Sequence, residues 1–238
     1  MHNLTLRKFL FIFIVSSIGL SNDNSNPIDI SQLPFKKVIA TRVIDPPKID
    51  GKLDDEVWKD ATVHSDFLQF RPNNLGKPTF ETEIRILYDD NFIYLSFNNL
   101  DSHPEKIRKT LGRRDDWSSS FDQESDYITF GFDSRNDNKN ANTFGVNAAN
   151  VQFDNAVTSD AAGTDFEFSW DSVWLSNVSM NDDGWSTEIK MPFSIFQYSK
   201  DDNQTWGFRA HRTIQRFQEW IFWPGVDNGA NGFVEHFG

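Results

Sequence analysis

The sequence predicts an all-β fold, an antiparallel β-sandwich of jelly-roll or immunoglobulin-like type with a few short helices. Three observations predict it. Apolar residues recur at every second position in several short segments, turn-forming Asp, Asn, Gly and Pro stand between those segments, and almost no stretch keeps a helical period. The 238 residues include 23 Phe and 8 Trp, with a hydrophobic fraction of 38%, which is enough apolar surface to fill the space between two sheets.

In chain order, "MHNLTLRK" is a basic start, and "FLFIFIVSSIGL" is an apolar run too short to anchor in a bilayer. Together they read as a signal peptide over residues 1–21, cleaved between Gly19 and Asn22, so the chain is expected to be exported and periplasmic or outer-membrane associated. Residues 22–37, with "SNDNSNPIDISQL", read as a polar linker, and 38–238 as the sandwich domain.

"IDGKLDDEVWKDA" starts that domain. With Asp54 as N-cap, Leu53 and Trp58 fall at hydrophobic-staple spacing, while Asp55 and Glu56 sit in the first turn, where the helix dipole favours acids. Trp58 then has a packing role. "TEIRILYDDNFIYLSFNN" reads as two strands joined at Asp89–Asn91, with Ile93, Leu95 and Phe97 alternating against Tyr94 and Ser96. In "DYITFGFD", Ile128, Phe130 and Phe132 share a face. "NDDGWSTEIKMP" turns at Asp183-Gly184, sends Trp185, Thr187, Ile189 and Met191 one way and Ser186, Glu188 and Lys190 the other, and ends at Pro192, which cannot donate to a ladder. "QTWGFRAHRTIQRF" and "EWIFW" complete the strands. Short helices are expected at Asp54–Asp60, Pro104–Thr110 and Phe193–Phe196. The chain stops at "FVEHFG" directly after a strand, as though a C-terminal region were missing.

The net charge of −12 speaks against nucleic acid and anionic lipid, whose phosphates need Lys/Arg clusters. With 0 Cys, disulfides, thiolate metal sites and a Cys nucleophile are excluded, which suits bacterial export. No Gly-x-Ser-x-Gly elbow, His-Glu-x-x-His pair or phosphate loop is present, and no motif calls for an organic cofactor.

The segments "PPKIDGKLDDEVWKDA", "FETEIRILYDDNFIYLSF", "DYITFGFDSRNDNKNANTFGVN", "DGWSTEIKMPFSIF" and "TWGFRAHRTIQR" together resemble, in order and spacing, the family 9 carbohydrate-binding module over Val38 to Gly238. The resemblance implies a sandwich attached to exported glycoside hydrolases, a sugar held between aromatic side chains, and structural calcium. The pieces "RRD", "SWDSVW", "GWSTEIKMPFS" and "RTIQRFQEW" are similar to the N-terminal module of exported Bacteroidetes-type proteins that continue into a barrel-like domain of unknown function. An outer-membrane barrel is therefore an implied partner beside a glycan. In sugar-binding members of the family, a tryptophan, a carboxylate and an arginine fall where this chain has Gln123, Thr129 and Gly145, so the known sugar clamp does not carry over residue by residue.

Candidate ligand-binding residues are Trp117 with Arg114 and Asp116 in "RRDDWSSSFDQES", and Trp223 with Asp227 and Asn228 in "WPGVDNGANGFVEHFG". A sugar stacks its C–H face on a flat indole while neighbouring polar groups bind its hydroxyls. For Trp117, sugar binding and loop packing both fit. Trp170, Trp174, Trp185 and Trp206 read as core, the first two on one strand face. Asp133, Asn136, Asp137 and Asn138 offer oxygens for calcium in one loop, though a solvated hairpin loop is the simpler reading. Asp154, Asp160 and Asp165 form a weaker set. Arg209, His211, Arg212 and Arg216 either pair with strand-borne acids or mark an acidic-ligand site. Three functions follow: a non-catalytic glycan-binding module, a packing domain for a barrel that binds no sugar, or part of a glycoside hydrolase with catalysis elsewhere.

Overall fold

The computed structural model describes residues 36–237 apart from Gln123, so the signal peptide, most of the linker and Gln123 lie outside the described residues. The strands are β1 (Thr41–Arg42), β2 (Leu68–Arg71), β3 (Thr82–Tyr88), β4 (Phe92–Leu100), β5 (Tyr127–Asp133), β6 (Asn140–Asn147), β7 (Gln152–Asp160), β8 (Gly163–Glu167), β9 (Leu175–Asn181), β10 (Gly184–Pro192), β11 (Gly207–Ile214) and β12 (Glu219–Trp223). They form a five-stranded sheet, β1-β3-β4-β10-β9, and a seven-stranded sheet, β2-β12-β11-β5-β6-β7-β8. All pairings are antiparallel except β1 on β3, so the sandwich expected from the alternation is present with one short parallel edge.

Period two explains the core. Ile93, Leu95 and Phe97 of β4 and Trp185, Ile189 and Met191 of β10 face Ile128, Phe130 and Phe132 of β5 and Phe208 and Ala210 of β11, all buried in one cluster. Each large side chain so buried contributes roughly 1.5–3 kcal/mol. Arg212 continues the inward face of β11 and reaches the other sheet, donating to Leu100 O at 2.9 Å, Thr82 Oγ1 at 2.9 Å and Glu81 O at 3.1 Å. Arg216 holds both oxygens of buried Asp101 at 2.7 Å. The arginine run is thus partly structural, as pairing predicts.

The outward face of the five-stranded sheet is covered as well. Trp58 packs with Val43, Ala61, Leu87, Tyr94 and the partly buried Leu53. Its helix is a 3₁₀ turn, Glu56–Asp60, preceded by Asp55 rather than Asp54. The Asp55 carboxylate accepts from the Lys48 amide at 2.8 Å and caps nothing, because the turn is too short to leave free amides within its reach. The Leu53–Trp58 association survives; the cap does not. Gly51, at φ +87°, lets the chain pass within 2.6 Å of where a Cβ would strike Val178 backbone.

The other short helices are 3₁₀ turns at Pro104–Lys106 and Phe193–Ile195, and α1 (Trp117–Ser120) stands where a loop was expected. Trp170 and Trp174 pack on the core, as predicted, but from the irregular segment between β8 and β9 rather than from a strand face. None of the described helices is long and apolar enough to cross a membrane.

Candidate functional site

Because β5, β6, β7, β11 and β12 turn alternate residues away from the core, the outward face of the seven-stranded sheet collects Tyr127, Thr129, Thr143, Phe153, Asn155, Arg209, His211, Trp220 and Phe222. Trp117 of α1 closes one end of this face, Phe233 and Phe237 the other, and Phe166 and Phe168 stand at the β8 edge. The result is an aromatic trough of about 330 Å³. Half-buried Trp117 stacks on Phe121 at 5.5 Å with ring planes 3° apart, and meets Phe153 and Tyr127 edge-on at 5.0 and 5.4 Å. One expected ligand-binding residue therefore lines a real concavity.

Most polar groups in the trough satisfy each other. His211 lies between Thr129 Oγ1 at 3.2 Å and Thr213 Oγ1 at 3.1 Å and stacks on Phe222 at 4.5 Å. Burial, helped by the nearby Arg209 and Arg71, pushes its pKa down to about 3, so the imidazole is neutral at pH 7. Thr143 donates to Asn155 Oδ1. Arg209 differs. Its guanidinium is buried over the rings of Phe222 at 4.2 Å and Phe233 at 4.9 Å, Nη1 donates to Phe233 O at 3.3 Å, and Nε has no hydrogen-bond partner. Burial lowers its pKa to about 10, which leaves it charged at neutral pH.

Of the positions where the resemblance puts sugar contacts, Thr129 lines this trough, Gly145 lies against the Phe153 ring that lines it, and Gln123 is outside the described residues. Thr129 and Gly145 pair across β5 and β6. A Cβ on Gly145 would lie 2.0 Å from Phe153 Cε1, so the bare backbone is what lets that ring lie flat over the strand. Where the resemblance puts an arginine, this chain puts a phenyl ring.

Other expected residues serve the framework. Arg114 is not free for a ligand: it donates to Gln152 Oε1 at 2.7 Å, Ser172 O at 2.7 Å, Asp171 Oδ1 at 3.0 Å and the buried Asp154. Asp116 caps α1, accepting from Ser119 N at 3.3 Å and Ser118 Oγ at 3.0 Å, and those bonds hold its pKa below the usual range. Trp223 corrects the sequence reading outright. It is the last residue of β12, 2% exposed, inside the core, with Nε1 donating to Asp66 at 2.8 Å; the Pro-Gly that follows gave it a loop's appearance. Asp227 and Asn228 bind the 73–74 loop instead of a ligand, through Asn74 Nδ2 at 3.3 Å and Asn74 Oδ1 at 2.9 Å.

The loop expected to bind calcium is braced largely by its own amides. Asp133 Oδ2 accepts from Asn138 N at 2.7 Å, Asp137 accepts from the Lys139 and Asn140 amides at 2.8 Å, and Asn136 and Asn138 take positive φ as turn residues. Amide donors already meet three of the four carboxylate oxygens of Asp133 and Asp137, and the buried Asp133 Oδ1 lacks a partner. Among the described residues no group of three or more His, Asp or Glu could hold a metal ion. The second set is dispersed as well: Asp154 holds Arg114 and Trp174 Nε1, Asp160 holds the β7–β8 turn at Ala162 N, and Asp165 lies exposed on β8.

Sequence reasoning missed Tyr127, Phe153, Trp220, Phe222 and Phe233. The available signal was strands carrying rings on both faces, as "DYITFGFD" and "EWIFW" do.

Known proteins share this architecture. A solved structure of a family 9 carbohydrate-binding module from Caldicellulosiruptor kristjanssonii in complex with glucose superposes with TM-score 0.53 (17% identity, 83% of this chain and 93% of that one). The cellotriose complex gives 0.52 (16% identity, 84% and 91%). A provisionally assigned carbohydrate-binding protein from Bacteroides uniformis gives 0.58 (11% identity, 77% and 87%). No curated protein matches the chain. The family model described as carbohydrate family 9 binding domain-like matches residues 49–215, and the chain belongs to that family.

Proposed function

We propose that the chain is a non-catalytic carbohydrate-binding module of an exported protein, serving carbohydrate catabolism by attaching its parent to glycans, and that the trough beside Trp117 is its site. The observation that carries this reading is the coincidence of that trough with the Thr129–Gly145 strand pair, where the family resemblance places sugar contacts. Rings meeting at different angles suit the alternating C–H faces of a sugar. The glucose and cellotriose complexes of the Caldicellulosiruptor module support sugar as the ligand class. Isothermal titration of the chain with glucose and cellotriose, repeated on Trp117→Ala, tests it. Heat that disappears in the variant is expected; no heat with any mono- or oligosaccharide defeats it.

A second reading, a packing surface for an outer-membrane barrel, draws on one observation. Phe166, Phe168, Val173 and Leu175 are 39%, 51%, 83% and 57% exposed between edge strand β8 and the first residue of edge strand β9. Co-purification with a downstream barrel through these residues, without sugar binding, would favour it. Release of reducing ends by the purified chain would instead assign hydrolysis to it.

A further inference from the structure

We propose that the sugar this trough takes carries a carboxylate, as a uronic acid unit does, and that Arg209 receives it. The inference rests on the carbohydrate reading above and deepens it.

Arg209 is the exception among the buried cations. Arg212, though its Nε also lacks a partner, places both terminal nitrogens on three acceptors at 2.9–3.1 Å, and Arg216 grips both oxygens of Asp101. Arg209, 7% exposed, lines the cavity and has one long bond to a carbonyl, no ion pair among the described residues, and a buried Nε without a partner. Burying a charge without a partner is costly, and the faces of Phe222 and Phe233 offset only part of that cost. Such a group stays in a fold readily when a ligand completes it.

The surroundings specify the sign and shape of that ligand. The chain has 35 Asp and Glu, yet none of those among the described residues lines the trough. Arg71 adds a second cation close by, 3.1 Å over the Trp220 ring. His211, bonded on both nitrogens, brings neither charge nor a free donor. A guanidinium edge matches the two oxygens of a carboxylate. A sulfate or phosphate would bring further oxygens into walls made mainly of rings, with too few donors to meet them. The rings then stack on the sugar plane, and the cation selects the acid.

The test compares trigalacturonate with its fully methyl-esterified form on the 238-residue chain by isothermal titration, so that no substitution can disturb folding. The free acid is expected to bind at least roughly tenfold tighter, a preference that disappears in Arg209→Gln and weakens as salt is raised. Equal binding of acid and ester, or binding of cellotriose but not trigalacturonate, would overturn the inference and leave the carbohydrate reading standing. No heat with trigalacturonate, glucose or cellotriose would overturn both. Tighter binding of decanoate than of trigalacturonate would replace the uronate with a hydrocarbon carboxylate.

Discussion

Trp58 Nε1 lies 2.7 Å from Glu188 Oε1, and the other oxygen of that carboxylate accepts the Asp50 and Gly51 amides at 2.9 and 2.8 Å. A strand residue that alternation assigns to solvent is therefore fully buried, because the segment before β2 folds across it. Burial raises the Glu188 pKa, while the Trp58 indole and the two amides oppose the rise. Glu188→Ala would strand three donors, and a loss of about 3 kcal/mol or more is expected in urea unfolding. Trp58→Phe, which leaves two of the three bonds in place, should cost about 1–3 kcal/mol.

Asp126 makes stability depend on pH in an unusual direction. It is 1% exposed, Oδ1 accepts from Gln215 N at 2.8 Å, and Oδ2 has no partner. Burial raises its pKa to about 6 against the Gln215 bond and the attraction of Arg212 and Arg216. A carboxyl raised on folding stabilises below its unfolded pKa of 3.8, and that contribution is lost as pH rises through about 6. Compared with Asp126→Asn, which cannot ionise, the wild type should lose about 2 kcal/mol between pH ~4 and ~7. Denaturant midpoints across that range check it; parallel curves would show that Asp126 does not titrate there.

Residues with one buried neighbourhood were legible in the sequence. β3, β4, β5 and β10 alternate cleanly because one face is core, and the pattern marks it. Legibility fails where both faces are covered. Ser186 and Glu188 look like a solvent face and lie under the Trp58 segment. β7 and β8 pass through "FDNAVTSDAAGTDFEF", whose acids suggested a metal loop, yet Asp154 and Asp160 are fixing a side-chain network and a turn. The trough depends on sheet register between residues far apart in sequence, which no local pattern encodes.

Trp117 and Trp223, equal candidates by composition, should separate by experiment. Trp223→Ala empties a site in the main core and leaves Asp66 with Lys36 as its remaining side-chain partner, so a stability loss of about 3–5 kcal/mol is expected. Trp117 is only half-buried and packs in a small cluster with Phe121, Tyr127 and Phe153. Trp117→Ala should cost about 1–2 kcal/mol while abolishing sugar binding. Thermal unfolding beside calorimetry distinguishes the two roles, and a Trp117 variant that binds as the wild type does would remove that indole from the site.

The trough's floor can be tested through Gly145 and Phe153. In Gly145→Ala the new methyl would meet the Phe153 ring at 2.0 Å, so the ring must swing outward, into the space a ligand would use. A stability cost of about 1–3 kcal/mol and weaker sugar binding are expected together. Phe153→Ala removes the obstacle but also a stacking wall. If the clash alone sets the first effect, the double variant Gly145→Ala, Phe153→Ala should be no less stable than Phe153→Ala by itself, giving a coupling energy of about the size of the Gly145→Ala cost. Additive losses in urea unfolding would mean that Gly145 is required for a reason other than the ring lying over it.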